Sequence, residues 1–325
     1  MGTDEWRTKA RALATEATER FLVARDPAEL LSNVSNLKST LSPKLAALSA
    51  AFEQNISAVV ATVAIPVTLA SGASEGSHWQ RIHSAERIRA LKLEAEPGED
   101  KVALDTRRES HAREVASRRM LEFAGSSDGR DTMAADACRF LLEALKSSNL
   151  GDAADELLRQ GIVLTWSALE ILCRDLFEAI LNANPKRALA VIQEPAAKQR
   201  LQSKFTLEEL ATAGFDLSSS LGSLLTSQQD FSDIRTIKAV MLPALNAEPD
   251  VEAALGDKAL WVLCQQRHLI VHRRGAVDAR YLEVTGENRQ IGERLVIKPN
   301  DLESQLEKVV NAGRALLVAA SKHAV

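Results

Sequence analysis

The sequence is poor in aromatic side chains, which limits the fold classes that it can adopt. Phe, Trp and Tyr together make up 4% of the 325 residues, and there is one tyrosine. Strands favour aromatic and β-branched side chains, whereas Ala and Leu, which are abundant here, are strong helix formers. The composition therefore predicts an all-α protein with at most a short β element.

Cysteine is scarce as well. Cys138, Cys173 and Cys264 are far apart and each lies in an apolar, helix-like context. The sequence has no CxxC pair and no Cys/His spacing of the kind that binds zinc. We therefore expect three core thiols in a reducing compartment, and neither a structural metal nor a cofactor.

Several well-known enzyme motifs are missing from the sequence. It contains no GxGxxG, no P-loop, no GxSxG and no HExxH, the patterns of dinucleotide, phosphate, serine-hydrolase and zinc-protease sites. The net charge of −4 and the pI of about 6.0 argue against a protein that coats nucleic acid through bulk charge. A local basic cleft remains compatible with these numbers.

Long apolar runs are also lacking. The N-terminal segment MGTDEWRTKARA is charged, so it does not resemble a signal peptide. The apolar run at 56–70 has about 15 residues where roughly 20 are needed to cross a membrane, and Pro66 interrupts it. We expect a buried helix that ends near Ile65, no membrane segment and a cytoplasmic protein.

Loop-forming residues suggest how the chain is organised. Gly, Ser and Asp are concentrated at 124–131, which predicts a boundary between a helical region, 1–125, and a second domain, 130–325. In the first region, SGASEGS at 71–77 predicts a loop. The run at 83–120 mixes both charge signs, as a solvated helix face or a short coiled-coil arm does, and Glu96-Pro97-Gly98 predicts a break within it. This region carries no site chemistry, and we interpret it as a sensor, partner-binding or oligomerisation module.

The second region predicts a helical bundle. The segment 155–183 is apolar nearly all round, as expected for a central buried helix, and Asn184-Pro185 predicts its end. A further helix is predicted over 252–273, with Gly275 just beyond its end. RLVIK at 294–298 indicates a short strand or pairing segment, and a last helix begins at Pro299.

One stretch, RHLIVHRRG at 267–275, concentrates reactive side chains. It holds two of the six histidines and three arginines at the end of a predicted core helix. An Arg and a His at this spacing are expected about once by chance in such a chain. Cations at a helix C-terminus also interact favourably with the helix dipole, which is an alternative explanation for Arg273 and Arg274.

The surrounding sequence adds a resemblance. Together with SALEILCRDLF on the earlier buried helix and VDARYL and IGERLVIKPNDL downstream, the stretch resembles the HEPN superfamily (higher eukaryotes and prokaryotes nucleotide-binding), and within it the RiboL-PSP branch. The signature of that branch is Arg, a polar residue, a short apolar stretch and His, here Arg267, His268, 269–271 and His272. Relatives often have Asn at the position of His268. The resemblance covers about 132–325 and implies a HEPN-like helical bundle with RNase activity.

The chemistry agrees with the implied activity. RNA cleavage without a metal needs a base for the 2′-OH proton, a cation for the phosphate and an acid for the leaving 5′-oxygen. Histidine titrates near neutrality and suits proton transfer, and arginine binds phosphate oxygens through a fixed fork of donors. Arg267 and His272 are therefore the predicted catalytic pair, with His268 as a polar residue of the active site.

Further residues follow from the same resemblance. Glu170 is predicted to orient the catalytic arginine, although a pairing with Arg174 on its own helix is the alternative; Asp175 is a weaker candidate, and Trp166 is expected in the core. The predicted substrate-binding residues surround the end of the motif: Arg273, Arg274, Arg280 and Tyr281, of which Tyr281 has packing as its alternative role.

Arg267 and His272 are five residues apart, about 140° round an ideal helix at roughly 100° per residue. They can meet at one phosphate only near a helix end or across a two-fold interface, and the family resemblance implies a homodimer with a composite active site. The leading hypothesis is a metal-independent endoribonuclease that leaves 2′,3′-cyclic phosphate ends, as a toxin or phage-defence effector with RNA as substrate and an antitoxin or defence-system partner. The alternatives are an inactive HEPN-like scaffold for dimerisation or partner binding, and a helical adaptor assembled through its charged arm, 84–119.

Overall fold

The computed structural model of the chain describes residues 3–21, 26–146, 148–201, 204–227 and 231–323. Over these ranges the protein is all-α, as predicted, and the sole β feature is one isolated antiparallel bridge between Ala276 and Arg294. One 3₁₀ helix spans Lys38–Thr40. The α-helices are α1 (Thr3–Thr18), α2 (Pro27–Ser35), α3 (Pro43–Val63), α4 (Ile65–Ala90), α5 (Lys101–Gly125), α6 (Ser127–Leu145), α7 (Ser148–Ala183), α8 (Arg187–Gln193), α9 (Pro195–Lys198), α10 (Leu207–Thr212), α11 (Leu217–Ser227), α12 (Ile234–Ala244), α13 (Pro249–Leu255), α14 (Lys258–Arg273), α15 (Ala279–Thr285) and α16 (Pro299–Ser321).

The helices form two compact units, and neither unit is one continuous stretch of chain. Unit 1 comprises residues 1–23 and 64–154, and unit 2 comprises 24–63 and 155–325. In unit 1, α4 packs against α5 and α6, and α1 packs against α6. A small apolar cluster lies in this unit, built from Phe21, Ala70, Ala137, Leu141 and Ala154.

Unit 2 is built around α7 and α16. The side chains of Trp166, Leu169 and Phe177 on α7 are fully buried, which confirms the predicted central helix. On α16, a Cβ added at Gly313 would lie 2.5 Å from the Phe52 ring of α3 and 3.2 Å from Leu172 of α7. Because glycine leaves this space free, α3, α7 and α16 can pack closely in the core of unit 2.

The segment at 124–131, predicted as a domain boundary, is a helix-to-helix turn within unit 1. α5 ends at Gly125, and Ser126 caps α6 by accepting a hydrogen bond at its Oγ from the Gly129 amide (3.0 Å). Gly, Ser and Asp are as common in caps and tight turns as in linkers, so the same composition serves a turn here. The units therefore divide the chain at other positions than predicted.

The prediction of a loop at 71–77 was wrong, because this segment lies inside α4. The buried Ser74 hydroxyl donates a hydrogen bond to the Met133 carbonyl of α6 (2.9 Å). This contact between α4 and α6 offsets the weaker helix propensity of Gly and Ser in the segment. The break predicted at Glu96-Pro97-Gly98 is confirmed, since α4 ends at Ala90 and α5 begins at Lys101.

The segment 252–273, predicted as one helix, is divided between α13 and α14 at Gly256 and Asp257. The Asp257 carboxylate accepts a hydrogen bond from the Ala259 amide (2.8 Å) and another from Lys308 Nζ (2.7 Å). An N-cap of this kind starts a new helix. The chain therefore forms two separate helices here, α13 and α14.

Within the described chain, RLVIK forms an extended segment that pairs through one β-bridge and does not form a strand of several residues. Its Arg294 makes the β-bridge to Ala276, and the Leu295 amide donates to the Gly275 carbonyl (2.7 Å). This contact ties the chain after α14 to the segment that leads into α16.

Among the described helices, α3 alone is long and apolar enough to cross a membrane by length and composition. Core helices meet the same criteria. In α3 the side chains of Leu45, Phe52, Ile56 and Val63 are at most 2% exposed, and the helix packs against α2 and α16 of its own unit. It ends at Val63, two residues before the predicted end.

Candidate active site

A cavity of about 290 Å³ lies beside the C-terminal half of α14, within unit 2. It is lined by three elements, namely the start of α12, one face of α14 and the first turn of α15. The lining residues are Ser232, Asp233, Arg235, Trp261, Cys264, Gln265, Arg267, His268, His272 and Arg280. Three arginines against one aspartate make this cavity cationic.

The face that α14 presents to the cavity follows helical periodicity. Trp261, Gln265, His268 and His272 are spaced by four, three and four residues, so they lie on one stripe of the helix. Arg267 lies next to this stripe and reaches the same cavity. Although Arg267 and His272 are about 140° apart round an ideal helix, both side chains border this one cavity in the C-terminal half of α14.

Arg267 faces α7. Its Nη2 lies 3.9 Å from Oε2 of Glu170, and the two side chains are 20% and 26% exposed. Arg174 contacts Asp175 with an Nε–Oδ1 distance of 3.3 Å. Glu170 therefore lies where its charge can act on the Arg267 guanidinium.

The Arg267 guanidinium is incompletely paired within the described chain. Its Nε is buried and has no hydrogen-bond partner among the described residues. A buried donor without a partner costs on the order of 1–3 kcal/mol, and such groups in folded proteins call for an explanation beyond stability.

The two histidines of the motif contact each other. Their ring centroids are 4.6 Å apart, with a 48° angle between the planes, as expected for side chains one helical turn apart. Partial burial lowers the pKa of His268, and the nearby charges of His272, Arg280 and Arg267 lower it further. His268 is consequently neutral at pH 7, with one ring nitrogen free to accept a proton.

A sharp reversal follows His272. Arg274 and Gly275 both adopt left-handed backbone conformations, with φ of 53° and 79°. The Leu269 carbonyl accepts hydrogen bonds from both of their amides, that of Gly275 at 3.0 Å. This cap ends α14 and fixes His272 in its last turn.

The predicted substrate-binding residues are placed differently from one another. Arg280 lines the cavity, whereas Arg273 is 63% exposed with its Nε 3.9 Å from an Asp278 oxygen, and Arg274 is exposed at the cap. Tyr281 is 2% exposed, and its hydroxyl donates to Glu287 Oε1 (2.7 Å). The structure therefore places Arg280 in the same cavity lining as Arg267 and His272. It places Tyr281 in the core, where burial raises the pKa of the hydroxyl.

A thiol also borders the cavity. Cys264 is 5% exposed, and its Sγ lies 3.7 Å from the Ser232 carbonyl. Burial raises the pKa of this thiol to about 11. Because the thiolate is the nucleophilic form, Cys264 packs as a small core residue, in line with the sequence prediction for the cysteines.

Sequence reasoning did not single out Arg235 and Trp261. The Arg235 guanidinium carbon lies 4.6 Å from the centre of the Trp261 ring, a cation–π contact at the mouth of the site. The stripe from Trp261 to His272 was a usable signal for Trp261. Arg235 had none, because only the fold brings the start of α12 next to α14.

The described residues contain no group of three or more His, Cys, Asp or Glu side chains arranged to hold a metal ion. Comparisons of the chain with protein-family models, with curated proteins and with solved structures gave no match. The HEPN resemblance therefore depends on the residues of the motif and its flanking segments.

Proposed function

We propose that the protein is a metal-independent endoribonuclease of the HEPN type, with Arg267 and His272 as its catalytic pair. The observation that carries the proposal is one cationic cavity bordered by Arg267, His268 and His272, with Glu170 beside the arginine. Charge of this kind suits a phosphodiester, and imidazoles suit its proton transfers.

In the proposed reaction a base removes the proton from a ribose 2′-OH, and the oxygen attacks the adjacent phosphorus. The bond from phosphorus to the 5′-oxygen breaks, and an acid protonates the leaving oxygen. The products carry a 2′,3′-cyclic phosphate and a 5′-OH. Arg267 binds the non-bridging oxygens, whose negative charge increases as the bond forms.

This reaction needs two proton-transfer groups, and a single His272 supplies one at a time. We propose that two chains pair so that two Arg267/His272 sets face one cleft, and that His268 acts as a neutral polar residue beside them. In such a pair Val271, which is adjacent to His272 and has 47% of its surface exposed, would lie close to the interface.

The biological role in the proposal comes from the resemblance alone. RNases of this type serve as toxins or phage-defence effectors in the cytoplasm, which implies an antitoxin or another defence-system partner. The helical region 1–125 is then the sensor or partner-binding module. The genes next to the coding gene test this part, since a small antitoxin or a defence cluster is expected there.

The activity is tested by incubating the purified full chain with labelled single-stranded RNA in EDTA. We expect cleavage that is lost in His272→Ala and retained in Asp175→Asn, a charge change on α7 outside the cavity. An absence of cleavage under every condition, with the chain folded and paired, would favour the inactive scaffold. An oligomeric state that survives charge reversal at Arg113 and Arg118, two exposed arginines of the charged arm on α5, would remove the adaptor hypothesis.

A further inference from the structure

A second cavity, of about 550 Å³, lies along α12 in the same unit. Its lining comes from the segment around α9, from α12 and from α13. Arg235 borders this cavity and also the active-site cavity. The two cavities are therefore neighbours, with one arginine at their junction.

The residues that α12 contributes lie on one face. Arg235, Lys238 and Leu242 follow the i, i+3, i+7 spacing of a helical stripe, and all three border the second cavity. From Arg235 to Leu242 the helix rises about 10 Å. That length matches about three nucleotides of a stacked strand, at about 3.4 Å each.

The chemistry of the second cavity suits both parts of a single-stranded nucleic acid. Arg200, Arg235 and Lys238 offer cations for phosphates, against the carboxylates of Glu194 and Glu252. The same lining also contains the apolar residues Ala239, Leu242 and Pro243. Cations that follow a backbone, next to apolar surface for bases, are the usual composition of a single-strand groove.

Arg235 itself is presented as a flat surface. Its guanidinium lies over the Trp261 ring at 4.6 Å, and the residue is exposed. A planar cation supported on one side by an aromatic ring keeps its other side available to a nucleobase, while its donors can reach a phosphate. A lysine would supply the charge and not the planar surface.

We propose that the groove formed by Arg235, Lys238 and Arg200 binds the single-stranded RNA that flanks the scissile phosphate, and that Arg235 supported by Trp261 stacks the first flanking base. The inference rests on the proposed function for the position of the scissile phosphate. It adds a substrate class, single-stranded RNA of several nucleotides, and a binding role for residues outside the Arg267–Gly275 motif.

Binding is measured in the His272→Ala background by fluorescence anisotropy with a labelled RNA decamer. We expect Arg235→Ala and Lys238→Ala each to weaken binding, Arg235→Ala by about tenfold as for the loss of one stacked base. Arg314→Ala, a change of an exposed arginine on α16 that borders neither cavity, is the matched control and should bind like the parent. Circular dichroism checks that each variant is folded.

Salt dependence separates charge from stacking. The slope of log affinity against log salt should decrease by about 0.7 in Arg235→Ala, the value for one phosphate contact of a single strand. Arg235→Lys should keep the slope and still bind more weakly than the parent. An unchanged slope in Arg235→Ala would contradict phosphate binding by this residue.

Cleavage by variants with intact His272 separates this inference from the proposed function. The groove predicts that Lys238→Ala raises KM for the decamer and leaves cleavage of a dinucleotide unchanged. If the wild-type chain cleaves RNA and these variants all behave like Arg314→Ala, the groove is refuted and the nuclease stands. If decamer binding depends on Arg235 and Lys238 while no RNA is cut, the groove stands and the nuclease is refuted.

Discussion

Glu170 Oε2 lies 3.9 Å from Nη2 of Arg267, although the two residues belong to different helices, α7 and α14. The first helix is the buried centre of unit 2 and the second carries the histidines, so this ion pair connects the core to the site. At this distance the carboxylate acts by charge and restrains the direction of the guanidinium.

Replacing Glu170 with Gln should therefore reduce catalysis more than stability. We expect kcat/KM for RNA to fall by about tenfold, equivalent to about 1.4 kcal/mol of transition-state stabilisation. The free energy of unfolding should change by less than about 1 kcal/mol, because the pair is partly exposed. Asp175→Asn on the same helix is the control, and an equal loss of activity in both variants would contradict an orienting role for Glu170.

Arg267→Met should remove cleavage while leaving the protein folded. The replaced guanidinium is 20% exposed and its Nε is buried without a partner among the described residues, so its burial carries a desolvation cost that methionine avoids. We expect the free energy of unfolding from urea denaturation to stay within about 1 kcal/mol of wild type. A loss of several kcal/mol would instead assign Arg267 a structural role.

The lowered pKa of His268 predicts a pH dependence of stability. The folded protein holds this imidazole neutral, while the unfolded chain takes up a proton near the ordinary pKa of about 6.5. The stabilising contribution of the neutral form is therefore present above about pH 6.5 and is lost as the pH falls towards the lower folded-state pKa.

His268→Asn removes this titration and keeps a polar group that the HEPN resemblance implies is accepted at this position. We expect its urea midpoint to fall less between pH 7 and pH 5 than that of wild type, with RNA cleavage retained. His111→Asn, at an exposed position on α5, controls for the loss of a histidine elsewhere. A wild-type pH slope in His268→Asn would contradict the lowered pKa, and a loss of cleavage would make His268 one of the proton-transfer groups.

Val271→Glu should separate the proposed dimer into monomers. The side chain is exposed and adjacent to His272, so a carboxylate there leaves the fold intact and would be buried beside its own copy in a two-fold interface. Sedimentation velocity should show a dimer for wild type and a monomer for the variant, with cleavage reduced. Leu189→Glu, at a similarly exposed apolar position on α8, should remain a dimer, and an unchanged Val271→Glu dimer would place the interface elsewhere.

The sequence predicted those parts of the fold that local patterns determine. The apolar pattern of α7 and the breaks at Pro97 and Pro185 are properties of short segments, and each appears in the structure. The segment 71–77 was misjudged because Ser74 is helical through its contact with Met133, fifty-nine positions away in the chain. The division of α13 from α14 depends on the N-cap residue Asp257. The carboxylate of Asp257 also binds Lys308, which is fifty-one positions away in the chain.

The candidate site shows the same limit. Arg267, His268 and His272 could be proposed from one stretch of sequence, and Glu170 from a resemblance. Arg235 lies more than a helix away from the motif in the chain, and its contact with Trp261 exists only because α12 packs beside α14. Tyr281, close to the motif in sequence, is directed into the core by the start of α15.

The central claim is that Arg267 and His272 cleave RNA through attack of the 2′-OH. The most direct test is a DNA oligonucleotide with a single ribonucleotide, incubated with the wild-type dimer in EDTA and analysed by mass spectrometry. The account predicts one cut, after the ribonucleotide, with a 2′,3′-cyclic phosphate on one product and a 5′-OH on the other. It also predicts no cut when that sugar is 2′-O-methylated or when His272 is Ala. Cleavage at deoxynucleotides, or cleavage that persists with the 2′-oxygen blocked, would contradict it.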